Sequence, residues 1–124
     1  MKVLFDTSVL VAAMVESHPG HRRALPWLQG AKSGRVTFLV AAHTLAELYA
    51  VLTRLPTAPR ISPTAAQRLV DENVASHAQI VALDAADYQA LLWRWGNLEL
   101  SGGAVYDSLI ARAAEKAGAD RLLT

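Results

Sequence analysis

Cysteine is missing from the 124 residues altogether. That removes disulfides, thiolate metal sites and cysteine nucleophiles together, and it fits a reducing compartment. Long hydrophobic runs are missing too. No apolar stretch approaches the roughly 18 residues of a membrane span. The N-terminal one is broken at Asp6 and carries no signal-peptide cleavage pattern. The chain therefore reads as soluble, unexported and cytoplasmic. Nor does charge of one sign dominate. Twelve Lys+Arg against eleven Asp+Glu give a formal net charge of +1, so no whole-molecule field draws a polyanion. What is present is a globular composition, 52% hydrophobic and 19% charged, of a length expected for one domain over residues 1–124. Nine of the twelve basic residues are Arg. Arg suits bidentate contact with phosphate, although GC-rich coding produces the same excess.

Hydrophobic patterning predicts alternating strands and helices. Met1–Phe5 is a short apolar run, followed by a helix through Val9–Val15 with Thr7 or Ser8 as its N-cap. His18-Pro19-Gly20 breaks that helix, and a second runs from His21 to Gln29. Val36–Val40 reads as a buried strand. Leu45, Leu48, Leu52 and Leu55 then step by three, four and three, as in a helix from Ala42 to Leu55. Ser62-Pro63 is an N-cap and N1 pair for a helix to about Val74. A strand over Ile80–Leu83 and a helix over Asp84–Gly96 follow. Gly102-Gly103 precedes a helix over Ala104–Ala117 closed by Gly118, and Arg121–Thr124 opens a last strand. The fold class expected is α/β, a three-layer domain with a central parallel sheet flanked by helices.

Three carboxylates stand in apolar company. Asp6 follows the first strand, at the end where open parallel sheets bind ligands, although Asp also serves there as a helix cap. Glu47 falls on the flank of the leucine stripe beside Thr44 and Val51, where a flank glutamate reaches for water or Arg54. Asp107 shares its helix face with Ile110, Ala111 and Ala114, a stripe expected to face the core. A carboxylate there costs several kcal/mol unless compensated, by the helix dipole or by a bound cation. Gathered in one cleft, such groups repel by roughly 4 kcal/mol per pair at 4 Å and an effective dielectric near 20. Mg²⁺ or Mn²⁺ turns that repulsion into attraction. With no Cys and no HxxxH or HxH spacing, a zinc site is not expected.

Val3-Leu4-Phe5-Asp6-Thr7-Ser8-Val9-Leu10-Val11, the stretch Leu45–Pro56 around Glu47, and Gly102-Gly103-Ala104-Val105-Tyr106-Asp107-Ser108-Leu109-Ile110-Ala111 together resemble the PIN-domain ribonucleases. The nearest likeness is to the VapC toxins of prokaryotic type II toxin–antitoxin systems. The resemblance spans nearly the whole chain, in the family's order. It implies a Rossmann-like PIN fold and a metal-dependent endoribonuclease using Mg²⁺ or Mn²⁺, with Asp6, Glu47 and Asp107 as catalytic and metal-binding acids. Thr7 and Ser8 match the hydroxyl residues that orient the first acid, and Thr124 a further hydroxyl position after the last strand. It also implies RNA hydrolysis leaving a 5′-phosphate and a 3′-hydroxyl, a VapB-like antitoxin as partner, and a homodimer. PIN domains commonly add a fourth acidic or amide residue just after the last strand. The sequence ends before that position, Asp120 lies on the wrong side of the strand, and the expectation is of a domain lacking its C-terminal end.

Arg22, Arg23, Arg54, Arg60 and Arg94 are candidates for phosphate contact, and Trp93 and Trp95 for base stacking, with one tryptophan expected in the core and one at the rim. Two other functions compete. One is a catalytically weak or inactive PIN-fold module that binds RNA or protein. The other is a phosphotransfer enzyme with Asp6 as nucleophile, disfavoured because position 8 is Ser and neither Lys32 nor Lys116 lies in a supporting motif.

Overall fold

The computed structural model describes residues Met1–Thr124. Four strands, β1 (Lys2–Phe5), β2 (Thr37–Ala41), β3 (Gln79–Val81) and β4 (Arg121–Leu123), form one sheet in the order β3-β2-β1-β4, every neighbouring pair parallel. Successive side chains on a strand point to opposite faces, and each central strand therefore feeds two cores. Val3, Phe5, Phe38 and Val40 pack on one face with the helices α1 (Thr7–Met14), α2 (His21–Lys32), α3 (Ala42–Arg54) and α4 (Pro63–Val70). Leu4, Leu39 and Ala41 pack on the other with Ile110 and Ala113 of α6 (Ala104–Lys116), over which α5 (Ala85–Asn97) lies. Three layers result, and the continuous apolar runs of β1 and β2 are what burial on both faces requires. No helix is long and apolar enough to cross a membrane.

The helix ends explain several differences from the sequence-based expectation. The N-cap of α1 is Asp6, ahead of both Thr7 and Ser8: its Oδ1 accepts the Thr7 N–H at 2.7 Å, and Thr7 is already helical. Ser62 caps α4 as expected, accepting from the Ala65 N–H at 3.1 Å, with Pro63 at the first helical position. That helix ends at Val70, not near Val74, because Asp71–Ala75 widens into a π-helical turn. Strands β2 and β3 are each shifted by about a residue from the apolar runs, to Thr37–Ala41 and Gln79–Val81. Gly118 follows α6 with φ +65°, the left-handed conformation that a closing glycine supplies without strain.

Candidate active site

Parallel topology brings the carboxyl ends of all strands to one edge of the sheet, and the chain leaves β1 there through Asp6. The Asp6 backbone N–H donates to Leu123 O at 2.9 Å, which fixes this turn against β4. Asp6, Thr7, Ser8 and Val11 from the β1–α1 junction meet Glu47 and Val51 of α3, Tyr106, Asp107 and Ile110 of α6, and His18 from the α1–α2 connection around one open cavity of about 400 Å³. Residues as far apart in the chain as Asp6 and Ile110 thus share a wall. That wall holds three carboxylates and no Lys or Arg.

The three acids are held differently. Asp6 is half-buried, with one oxygen committed to the Thr7 N–H at the positive end of α1. Glu47 projects from the flank of the buried Leu48–Leu52 stripe of α3, and its side chain is 45% exposed. Its Oε2 accepts a long hydrogen bond, 3.4 Å, from the buried Thr7 hydroxyl, and Oε1 stands 3.5 Å from His43 Nε2. Of the two outcomes expected for Glu47, water or Arg54, the half-exposed side chain faces water; Arg54 makes no ion pair with it, and one turn upstream His43 stands beside it instead. Asp107 is exposed on the first turn of α6, and the core-facing stripe of that helix is Leu109, Ile110 and Ala113. Of the residues expected to turn inward with Ile110, Ala114 does so, packing against the core, while for Asp107 and Ala111 the expectation is corrected, since both are exposed. Asp107 borders the cavity without being buried, and incurs no core desolvation cost.

Neither Asp6 nor Asp107 is paired with a basic side chain; the ion pairs of the molecule involve Glu47, Asp84, Asp87 and Glu115. Carboxylates and hydroxyls make up most of the polar wall, which is the donor chemistry that hard divalent cations prefer. The set is spread, however. No three His, Asp or Glu side chains converge closely enough to ligate one ion together.

The other candidates divide. Thr124 lines a neighbouring cavity, together with Ser8, His18 and Arg23. Arg94 and Trp95 line a small cavity between α5 and α6, where Trp95 is half-buried and donates its indole N–H to Ser108 Oγ. Trp93 is 76% exposed on α5, so the pair splits into one packed and one rim residue. Neither tryptophan lines the acid cavity. His18 and Tyr106 are wall residues that sequence reasoning missed; His18-Pro19-Gly20 signalled only a break between helices.

The PIN domain family profile matches residues 3–124. The chain is 40% identical over 119 residues to Ribonuclease VapC40 of Mycobacterium tuberculosis, an alignment covering 96% of this chain and 82% of that protein. It is 35% identical over 109 residues to Ribonuclease VapC27 of the same organism, covering 88% and 74%. Among solved structures, the sarcin-ricin loop cleaving toxin VapC20 of M. tuberculosis superposes with a TM-score of 0.69 at 18% identity, over 98% of this chain and 87% of that one. VapBC2 of Rickettsia felis, bound to a DNA fragment from its promoter, does so with a TM-score of 0.65 at 22% identity, over 100% and 86%. At those identities the two structures speak for the fold.

Proposed function

The chain belongs to the PIN-domain family, and from that membership we propose that it is an RNA-cleaving toxin of the VapC kind, a hydrolase of phosphodiester bonds held in check by a VapB-like antitoxin. The observation that carries this reading is the shared cavity. Asp6, Glu47 and Asp107 arrive from three separate elements at one wall that contains no Lys or Arg, and two of them have no ion-pair partner. Such a wall is suited to a divalent cation and repels a phosphate that arrives without one.

Asp6 and Asp107 are assigned as the carboxylates that hold Mg²⁺ or Mn²⁺ directly, and Glu47 as a ligand through water or as the residue orienting the attacking water. When bound, such an ion polarises the phosphate and lowers the pKa of water. Thr7 steadies Glu47 through its hydroxyl and Asp6 through its backbone N–H. Asp6, as the cap of α1, keeps its carboxylate at the strand end in a fixed direction. Tyr106, Val11, Val51 and Ile110 supply the apolar part of the wall. No covalent protein intermediate is required.

The test is cleavage of single-stranded RNA with Mg²⁺ or Mn²⁺. Asp6→Asn and Asp107→Asn each lower turnover by about 10²–10³-fold, with thermal midpoints close to the parent's. Parent-level cleavage by both variants overturns the site. The spread of the acids favours one competing reading, a PIN-fold module that binds RNA or protein without cutting. That module predicts binding indifferent to chelators and no turnover at any concentration of either metal.

A further inference from the structure

A second cavity, of about 530 Å³, adjoins the acid one, and the two have Ser8 and His18 in common. Its charge is opposite. Arg23 and Arg121 line it with Trp27, and no Asp or Glu does. Neither arginine is ion-paired within the protein. Arg23 and Trp27 lie one turn apart on α2, and Arg121 reaches from the start of β4 to place its guanidinium over the Trp27 ring, 5.0 Å from the centroid. A stacked guanidinium gives its face to the ring and keeps its edge N–H groups for oxygen acceptors. Between the cavities stands His18. Its Nδ1 accepts the Gly20 N–H at 2.9 Å, so in the neutral ring the proton sits on Nε2, the donor left for the walls His18 lines.

A strand of nucleic acid that puts one phosphate among three carboxylates meets like charge there, so most of its binding free energy must come from outside that cavity. Of the five arginines singled out from sequence, Arg23 alone stands nearby: Arg22, Arg54, Arg60 and Arg94 line neither cavity. Arg23 and Arg121 line the adjoining one.

We propose that this second cavity holds the RNA backbone phosphate next to the one that is cut. Arg23 and Arg121 bind it, and His18 Nε2–H donates to a phosphodiester oxygen where the strand crosses between the cavities. The proposal rests on the ribonuclease reading, and its test is made without cleavage, so that the two fail separately.

Binding of a short fluorescent single-stranded RNA is followed by anisotropy in EDTA over a salt series. Arg23→Ala and Arg121→Ala each weaken binding severalfold and flatten the slope of log K against log salt, and the double variant flattens it by about 0.7, one phosphate contact on a single strand. His18→Ala weakens binding by removing an N–H donor, and His18→Gln, which keeps one, recovers part of the loss. Arg121→Lys separates charge from packing on Trp27: it retains the parent slope while losing the stack. Arg60→Ala binds as the parent does. Parent affinity and slope in both Arg23→Ala and Arg121→Ala, with the fold intact by circular dichroism, overturn the proposal. Parent-level cleavage by Asp6→Asn overturns the acid-site assignment and leaves the binding result standing.

Discussion

Thr7 links two of the three acids with one small side chain. Its backbone N–H donates to Asp6 and its hydroxyl to Glu47 across a sequence gap of 40 residues. Thr7→Val keeps the shape and the backbone bond and deletes only the hydroxyl. Loss of a group that orients a metal-binding carboxylate weakens metal affinity or activity by roughly 10–100-fold; a titration of cleavage rate against Mg²⁺ concentration shows it as a shift to higher metal. An unchanged titration assigns Thr7 to packing alone. At this scale the sequence was readable where backbone geometry is simple. A strand end followed by a polar turn located Asp6, and the leucine stripe located Glu47 on its flank. Asp107 was misplaced because α6 is rich in alanine. Ala104, Ala111, Ala113 and Ala114 define no unique stripe, and the two bulky residues Leu109 and Ile110 decide which face is buried.

The helix that carries Asp107 is fixed by a carboxylate on its neighbour. Asp87, 6% exposed, completes the capping box of α5 with Asp84 and reaches Lys116 at 2.6 Å and Arg112 at 2.9 Å, one turn apart on α6. The Lys116 hydrogen bond first, then the Asp84 N–H and Arg112, hold its carboxyl far below the usual carboxylate range; burial opposes them. Arg112 and Lys116 are correspondingly raised, each by its hydrogen bond to Asp87. Because the unfolded chain binds more protons between the two pKa values, this contribution is fully present above the ordinary carboxylate range and is lost as pH falls through the depressed folded value. Asp87→Asn therefore lowers the thermal midpoint by several degrees at neutral pH, and the gap to the parent narrows as the pH is taken below about 4. A gap that stays constant down to pH 3 removes charge as its cause. Asp84 and Asp87 sit three apart ahead of an apolar helix, a cap signal visible in the sequence. Their partners on α6 were not visible, since nothing local pairs α5 with α6.

Across the whole molecule, an ion held by Asp6 and Asp107, with Glu47 through water, would tie the β1–α1 junction to α3 and α6. Anything that binds the folded chain alone stabilises it by mass action, about 2.7 kcal/mol at a hundredfold excess over Kd. Mg²⁺ or Mn²⁺ accordingly raises the thermal midpoint of the parent, EDTA reverses the rise, and Asp6→Asn shows none. A parent that melts identically with and without metal argues against the ion. By itself the sequence determined the alternation of strands and helices, the parallel sheet covered on both faces, and the residue types with oxygen chemistry, because periodicity and helix caps are local properties of a chain. Only the tertiary structure decided the strand order, the exposure of Asp107, the Asp87 tie between helices, and the placing of His18 between an acid cavity and a cationic one. Each of those depends on which distant segments pack together, and that is set by the summed burial of two cores on opposite faces of one sheet.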